Sequence, residues 1–425
     1  MRLQVLFALL CLPIVASAET LLIRNATVHT LAGAPIERGA VLIQDGVIQA
    51  VGSRLRAPRG ARVVDADGKH LYPGIFDAFT PMGLNEISAV GVTSDQVEKG
   101  DFNPHLDAAI AVNPDSEHIA VTRSNGVTHV LTTMSGGVIS GRASLIQLDG
   151  WTWEEMAIEQ RGPLVLNWPR PSVNTRDKKR DTFAKAKKIY DAKVAEIESW
   201  IEAARHYHLA EAEGAPDFRP DPKLASLAGV AVGEEPVMII AALEREIRNS
   251  ISFAAEHGLQ MILVGGAEAW KVKELLAEKK IPVILGPTQA LPLTDDDPYD
   301  RMFTQPAELT AAGVRFAISS AAPSGARAAA PYPKSRSLPY EAAGAVPFGL
   351  DRDEALKAIT VYPAEILGVG DKLGTIEEGK IANLMLTNGD PLEIATQVEM
   401  VFIKGREVST DNKHRSLYER YGSRP

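Results

Sequence analysis

Histidine, cysteine, aspartate and serine are the residue types that hold metals or attack bonds, and their placement narrows the chemistry open to this chain. Nine histidines stand at positions 29, 70, 105, 118, 129, 206, 208, 257 and 414. His206-Tyr207-His208 has the form of a chelating pair, but it falls in a helical pattern. Positions i and i+2 of a helix point to different sides and cannot grip one ion. His129 lies inside a strand-like run and reads as a packed or outward-facing side chain rather than a ligand. His257 precedes Gly258 at a helix end, where a cation suits the dipole. The serines at 319 and 320 have no identified histidine partner. General acid–base work would pair Asp77 with Glu86 or Glu98, against the plainer reading in which Asp77 only bonds backbone. No nucleophile elbow, P-loop or dinucleotide fingerprint stands in the strand–turn–helix context it requires. Gly136-Gly137 and Gly265-Gly266 read as tight turns at strand ends.

The single cysteine, Cys11, sits in an apolar run from Leu3 to Val15, after Arg2 and before Ala16-Ser17-Ala18. This order is that of a secretory signal cleaved after Ala18. The run of 13 residues falls short of the roughly 20 that span a bilayer. Leu10 rather than a small residue precedes Cys11, which argues against lipidation there. The mature chain then holds no thiol, hence no disulfide, zinc–thiolate site or cysteine nucleophile. Export points to the periplasm or the exterior. The 425 residues are 45% hydrophobic and 23% charged, with mean hydropathy −0.05, which excludes a disordered, collagen-like or polytopic membrane chain. A net charge of −9 speaks against nucleic-acid partners and, once the signal is removed, against membrane binding.

The elements that must position any site fall into two textures. Near the start, Leu21-Leu22-Ile23, Ala40 to Ile43 and Val47 to Gly52 are strand-like, and Gln44-Asp45-Gly46 is a hairpin turn. The texture returns in Ala382 to Leu386 and Val398 to Ile403, with Lys404-Gly405 as a turn, so one small β domain is expected from both chain ends. Between them, apolar strands 126–131, 163–166, 236–240, 260–264, 281–285 and 314–318 alternate with helical stretches 182–212, 244–257 and 267–279. That is the pattern of parallel α/β, as a (β/α)8 barrel or a doubly wound sheet. The segment Asn174 to Lys188, dense in Lys and Arg, reads as a solvated helix start.

Three stretches together resemble the amidohydrolase superfamily, in its imidazolonepropionase-like branch. They are Val47 to Gly52 leading through Val64-Asp65-Ala66-Asp67-Gly68-Lys69 to Leu71-Tyr72-Pro73-Gly74-Ile75-Phe76-Asp77-Ala78; Asp353 to Thr360 with Pro363-Ala364-Glu365-Ile366-Leu367-Gly368; and Gly374 to Leu384 with Gly389-Asp390-Pro391-Leu392. The resemblance implies a (β/α)8 TIM-like barrel over 73–369 and a composite β-sandwich over 19–72 and 370–410, with the signal segment over 1–18 before them and a C-terminal tail over 411–425 after. It also implies hydrolysis of C–N bonds by one or two divalent ions, usually zinc, at the barrel mouth. The ligands it implies are His-x-His after strand 1, Lys or Glu at strand 4, His at strands 5 and 6, and Asp at strand 8. This chain carries Phe79 and Pro81, Asn167, Ile240, Val264-Gly265-Gly266 and Ser319-Ser320 there. No cofactor is expected, because that set leaves no conventional metal site. His105 and His118, in the region after strand 1, are the histidines left to approach the mouth.

Because barrel strands point their C-terminal ends at the mouth, its lining is expected from Asp77, Phe79, Thr80, Thr132, Thr133, Ser135, Asn167, Ile240, Glu268, Ser319 and Ser320, with Arg142 reaching in. This set suits a polar or anionic small molecule. Two functional readings stand. One is a catalytically silent relative that binds a small-molecule ligand or pairs in a homo-oligomer, or in a hetero-oligomer with an active relative. The other is a hydrolase of amides or cyclic amides using metal-independent or rearranged chemistry. A structural or surface role is the third possibility.

Overall fold

The computed structural model describes residues 20–171, 182–325, 329–330, 332–422 and 424. The signal segment, Cys11 and residues 174–181 of the basic stretch lie outside the described residues. The chain opens with β1 (Thr20–Val28), β2 (Ile36–Gln44) and β3 (Val47–Gly52) as an antiparallel meander, and adds β4 (Arg62–Asp65) and β5 (His70–Pro73) parallel to β1. Asp45 and Gly46 take φ of 51° and 79°, as a type I′ hairpin turn requires.

β6 (Ile75–Thr80) then runs parallel to β7 (Val127–Thr132). The next segment breaks the parallel pattern. β8 (Ile139–Arg142) and β9 (Ser144–Gln147) are separated only by Ala143. β9 pairs antiparallel with β7 and with β10 (Ala157–Glu159), while β8 pairs antiparallel with β11 (Leu164–Asn167). One extended segment therefore joins a four-stranded sheet to a six-stranded one. The latter continues in parallel through β12 (Pro236–Ala241), β13 (Gln260–Gly265), β14 (Val283–Leu285) and β15 (Phe316–Ile318). At the far side, Ile318 N–H donates to Ala358 and Phe76 N–H to Ile359, so the segment 358–359 ties β15 to β6.

Side-chain alternation shows why these runs are apolar throughout. Phe76, Ala78, Leu131, Val165, Met238, Ile262, Val264, Ile284 and Ala317 share one inner cluster lined by both sheets. Their neighbours Ile75, Val130, Leu164, Val237, Ile239, Leu263, Val283 and Phe316 face the outer core. Strands buried on both faces lose the polar alternation of half-exposed ones. Helices cover the outer face, the longest being Phe183–Ala212, with Thr182 accepting a capping bond from Lys185 N–H at 3.3 Å. On it Tyr207 is buried while His206 is exposed, so the two histidines do not form one site.

β16 (Leu384–Thr387), β17 (Val398–Ile403) and β18 (Arg406–Val408) return to pair through β5, completing an eight-stranded sheet from both chain ends. Leu71, Leu384, Leu386 and Phe402 face a core belonging to this sheet, and Tyr72, Met385, Val401 and Ile403 face the main core. The region after 410 holds a helix, Lys413–Gly422. Among the described residues no helix is long and apolar enough to cross a membrane.

The Pro73-Gly74 step is where the terminal sheet hands over to β6. Gly74 N–H bonds Asn383 O at 2.8 Å, and a Cβ on Gly74 would lie 2.0 Å from the hydroxyl oxygen of buried Thr128. Gly74→Ala is expected to cost about 1–3 kcal/mol by overpacking, with part of the loss recovered in the Gly74→Ala, Thr128→Ala double variant. Thermal melts of the three variants check this. Strictly additive losses would show that the crowding at Thr128 is not the cause.

Candidate functional site

The strand ends that would carry a metal centre are filled by the protein's own side chains. Phe79 is 4% exposed and belongs to the inner apolar cluster, with Ile240 packed against the same cluster. Asp77 has no exposed surface. Its Oδ1 accepts from the N–H of Phe79 at 3.3 Å and of Ser320 at 3.1 Å, while Oδ2 has no hydrogen-bond partner. Burial pushes this carboxyl above the usual range, partly offset by the Ser320 and Ser335 hydroxyls and by the two N–H groups. Asp77 thus bonds backbone, as its plainer reading holds. Glu86 instead accepts from Asn113 at 3.3 Å and Glu98 is exposed, so neither carboxylate pairs with it.

A chain of hydroxyls links the neighbouring elements. Ser335, from a short turn after β15, donates to Thr80 Oγ1 at 3.1 Å and lies 3.4 Å from Ser320 Oγ. Ser319 donates to Leu285 O at 2.8 Å. Thr132 donates to Met82 O at 2.8 Å and Thr133 to Thr80 O at 3.3 Å. Ser135 N–H donates to Gln96 O at 2.8 Å. Asn167 spends its amide on Gly137 O at 3.1 Å and Ser140 Oγ at 2.9 Å, tying down the Gly136-Gly137 turn. Glu268 is buried after β13, accepting from Glu244 N–H and from Lys271, each at 2.6 Å. It caps the helix Glu244–Glu256. The side chains of Ser319, Thr132, Thr133, Asn167 and Glu268 are brought to one end of the sheets, but they are engaged with backbone and with neighbouring side chains.

Arg142 is the exception, and its expected place is corrected. β8 runs antiparallel, with Arg142 opposite Leu164 at the start of β11. Its guanidinium therefore lies at the opposite end, bonding Ser226 Oγ and Gly162 O at 3.1 Å each and pairing with Glu235.

The histidines also stay apart from the mouth chemistry. His105 is exposed, and His118 bonds Glu86 O at 3.0 Å. Among the described residues no group of three or more His, Cys, Asp or Glu side chains is placed to hold a metal ion. A divalent ion does not fit the donors at the implied positions: Phe79, Pro81, Ile240 and Val264 supply none, and Asn167 and Ser319 are already engaged. His129 is buried against the Phe76 ring at 4.4 Å, with Nδ1 2.7 Å from the Thr128 hydroxyl and Nε2 unpartnered. Burial pushes its pKa down to about 3. A histidine that resists protonation only when folded destabilises the fold as pH drops below its unfolded value of about 6.5. Stability is expected to fall by about 1.4 kcal/mol per unit from there toward pH 3, a loss that His129→Gln should reduce. Urea melts at pH 7 and pH 5 check this; equal losses in both proteins would clear His129 of the effect.

Comparison with known proteins places this geometry. A family model described as "Amidohydrolase family" matches residues 234–408. The chain is similar to Amidohydrolase tasK of Hapsidospora irregularis, with 24% identity over 395 residues, covering 86% of this chain and 39% of that protein. The chain thus spans about two fifths of the length of the curated relative it matches. Among solved structures it is similar to an amidohydrolase from Thermotoga maritima MSB8, at 28% identity and TM-score 0.77, covering 92% of this chain and 99% of that one. An adenosine deaminase from Xanthomonas campestris with bound zinc shares the fold alone, at 19% identity and TM-score 0.52, over 94% of this chain and 96% of its own.

Proposed function

Since this chain belongs to the amidohydrolase superfamily, we propose that it keeps the scaffold of a metal-dependent hydrolase and has given up the metal centre. In this reading the two sheets form one (β/α)8 barrel, in which Ile139–Gln147 takes the place of the third strand. The terminal sheet folds over its own core as the accompanying β-sandwich. The protein is exported to the periplasm or the exterior. It works as a silent subunit that binds a small ligand or pairs with another copy or an active relative.

The packing at the implied ligand positions carries this reading. Phe79 is buried in the inner apolar cluster and the half-buried Ile240 packs against it, so the loss of ligands has been followed by repair of the core. A site merely awaiting its ion would keep lone pairs facing a polar space. The competing reading, hydrolysis around Asp77 without a metal, needs water and substrate at a carboxyl with no exposed surface. The mature protein, purified alone with zinc or manganese supplied, is expected to hydrolyse no dipeptide, N-acyl amino acid or cyclic amide above the buffer rate. Metal-dependent turnover that stays with the protein through a second purification would overturn the proposal.

A further inference from the structure

We propose that a small cavity where the parallel strands begin, at the end opposite the mouth, binds a free α-amino acid with an aliphatic side chain. The cavity measures about 270 Å³, just under the roughly 300–1,000 Å³ of drug-sized sites, so its occupant is small. It opens between the end of β10, the loop leading into β11, the first residue of β12 and the segment 367–369. In barrels this end serves stability rather than chemistry, and stability alone would fill such a space with side chains.

The lining has an apolar side and a charged side. Leu131, Leu145 and Val369 belong to the inner cluster, and Leu367 packs against it. The charges are two guanidiniums, Arg142 and Arg161, and two carboxylates, Glu159 and Glu235. Both arginines converge on Ser226 Oγ, Arg142 through Nε at 3.1 Å and Arg161 through Nη2 at 2.7 Å. Two like charges drawn to one hydroxyl are tolerated because Arg142 pairs with Glu235, while Arg161 Nε stands 3.5 Å from the Asp107 carboxylate. Arg142 is 3% exposed and also donates to Gly162 O at 3.1 Å. The wall around it is fixed by backbone, with Gly162 N–H on Ala143 O at 2.8 Å and Ala143 N–H on Pro163 O at 3.0 Å.

The groups left unbonded define the ligand. Arg161 Nη1 has no partner among the described residues, and its two N–H groups can donate to a carboxylate. Glu159 accepts from Lys372 at 2.6 Å through Oε1, and Glu235 meets Arg142 through Oε2. The other oxygen of each has no hydrogen bond among the described residues and can accept from an ammonium. A ligand of one sign would leave the opposite charges covered without a partner. A zwitterion brings one group to each, and the leucine and valine side chains then take its aliphatic part out of water. The cavity lies away from the mouth, so this inference stands whether or not the protein hydrolyses anything.

The test is calorimetric titration of the purified protein with L-leucine, against 4-methylpentanoate, which lacks the ammonium, and 3-methylbutylamine, which lacks the carboxylate. Leucine is expected to saturate one site, and each analogue to bind about tenfold more weakly or worse. Arg161 has a side chain 52% exposed, so Arg161→Met should leave thermal stability unchanged while weakening leucine about tenfold or more. Glu159→Gln should weaken it severalfold. The inference is overturned if leucine does not bind below about 10 mM, if either analogue binds as tightly, or if Arg161→Met binds like the original chain. Should that variant melt early, the Glu159→Gln titration decides in its place, and unchanged binding there overturns the inference equally. Turnover assays on the same preparations report separately on the silent-subunit reading.

Discussion

Truncating Phe79 to alanine is expected to cost about 3–5 kcal/mol of folding stability. In a metal-dependent relative the residue at this position would be a ligand, and its loss would remove the ion and the activity. Here the side chain is buried and belongs to the inner apolar cluster, so its removal opens a cavity. Such a cavity cannot collapse fully, because rigid strands surround it. Urea denaturation checks the prediction: the midpoint should fall with the slope unchanged. A loss under about 1 kcal/mol would mean that position 79 is not part of the packed core, and the repair argument would fail with it.

Asp77→Asn is expected to make the protein increasingly more stable than its parent as pH rises. The native carboxyl titrates above its ordinary value of 3.8 because it is buried. A raised acid pKa means that the folded state holds its proton more tightly than the unfolded state. The resulting stability is fully present below about pH 4 and is lost as pH climbs through the folded pKa. Asn has the same shape, keeps the oxygen that accepts from Phe79 and Ser320, and carries no charge at any pH. The gap between the two proteins should therefore open by about 1.4 kcal/mol per unit above pH 4 and then level off. Urea melts at pH 4.5, 6 and 7.5 measure the gap. Parallel profiles would show that Asp77 ionises freely, which would return it to the list of candidate bases.

How far these features were legible in the sequence differs by feature. The parallel strands, the two hairpin turns and the union of both chain ends follow from apolar runs and Asp-Gly or Lys-Gly pairs, which are local properties. The unsuitable residues at 79, 81 and 240 were legible too, because a strand-end position is set by its register within a motif. Arg142 was not, since the direction of β8 depends on its antiparallel pairing with β11. The link made by Ser335 was also hidden. That residue lies 15 positions beyond Ser320 in a short turn, and no periodicity marks it. Glu268 looked like a pocket carboxylate, but the turn at Gly265-Gly266 delivers it to the Glu244 amide.

The central claim is that the metal positions have become packing positions, and metal stoichiometry tests it most directly. The protein, loaded with zinc or manganese and passed through gel filtration, is analysed by elemental mass spectrometry. The account predicts less than about a tenth of an equivalent per chain, following the sub-stoichiometric expectation for a site without ligands. One or two equivalents, retained through the column and lost on replacing His105 or His118, would reveal a rebuilt centre and contradict the account.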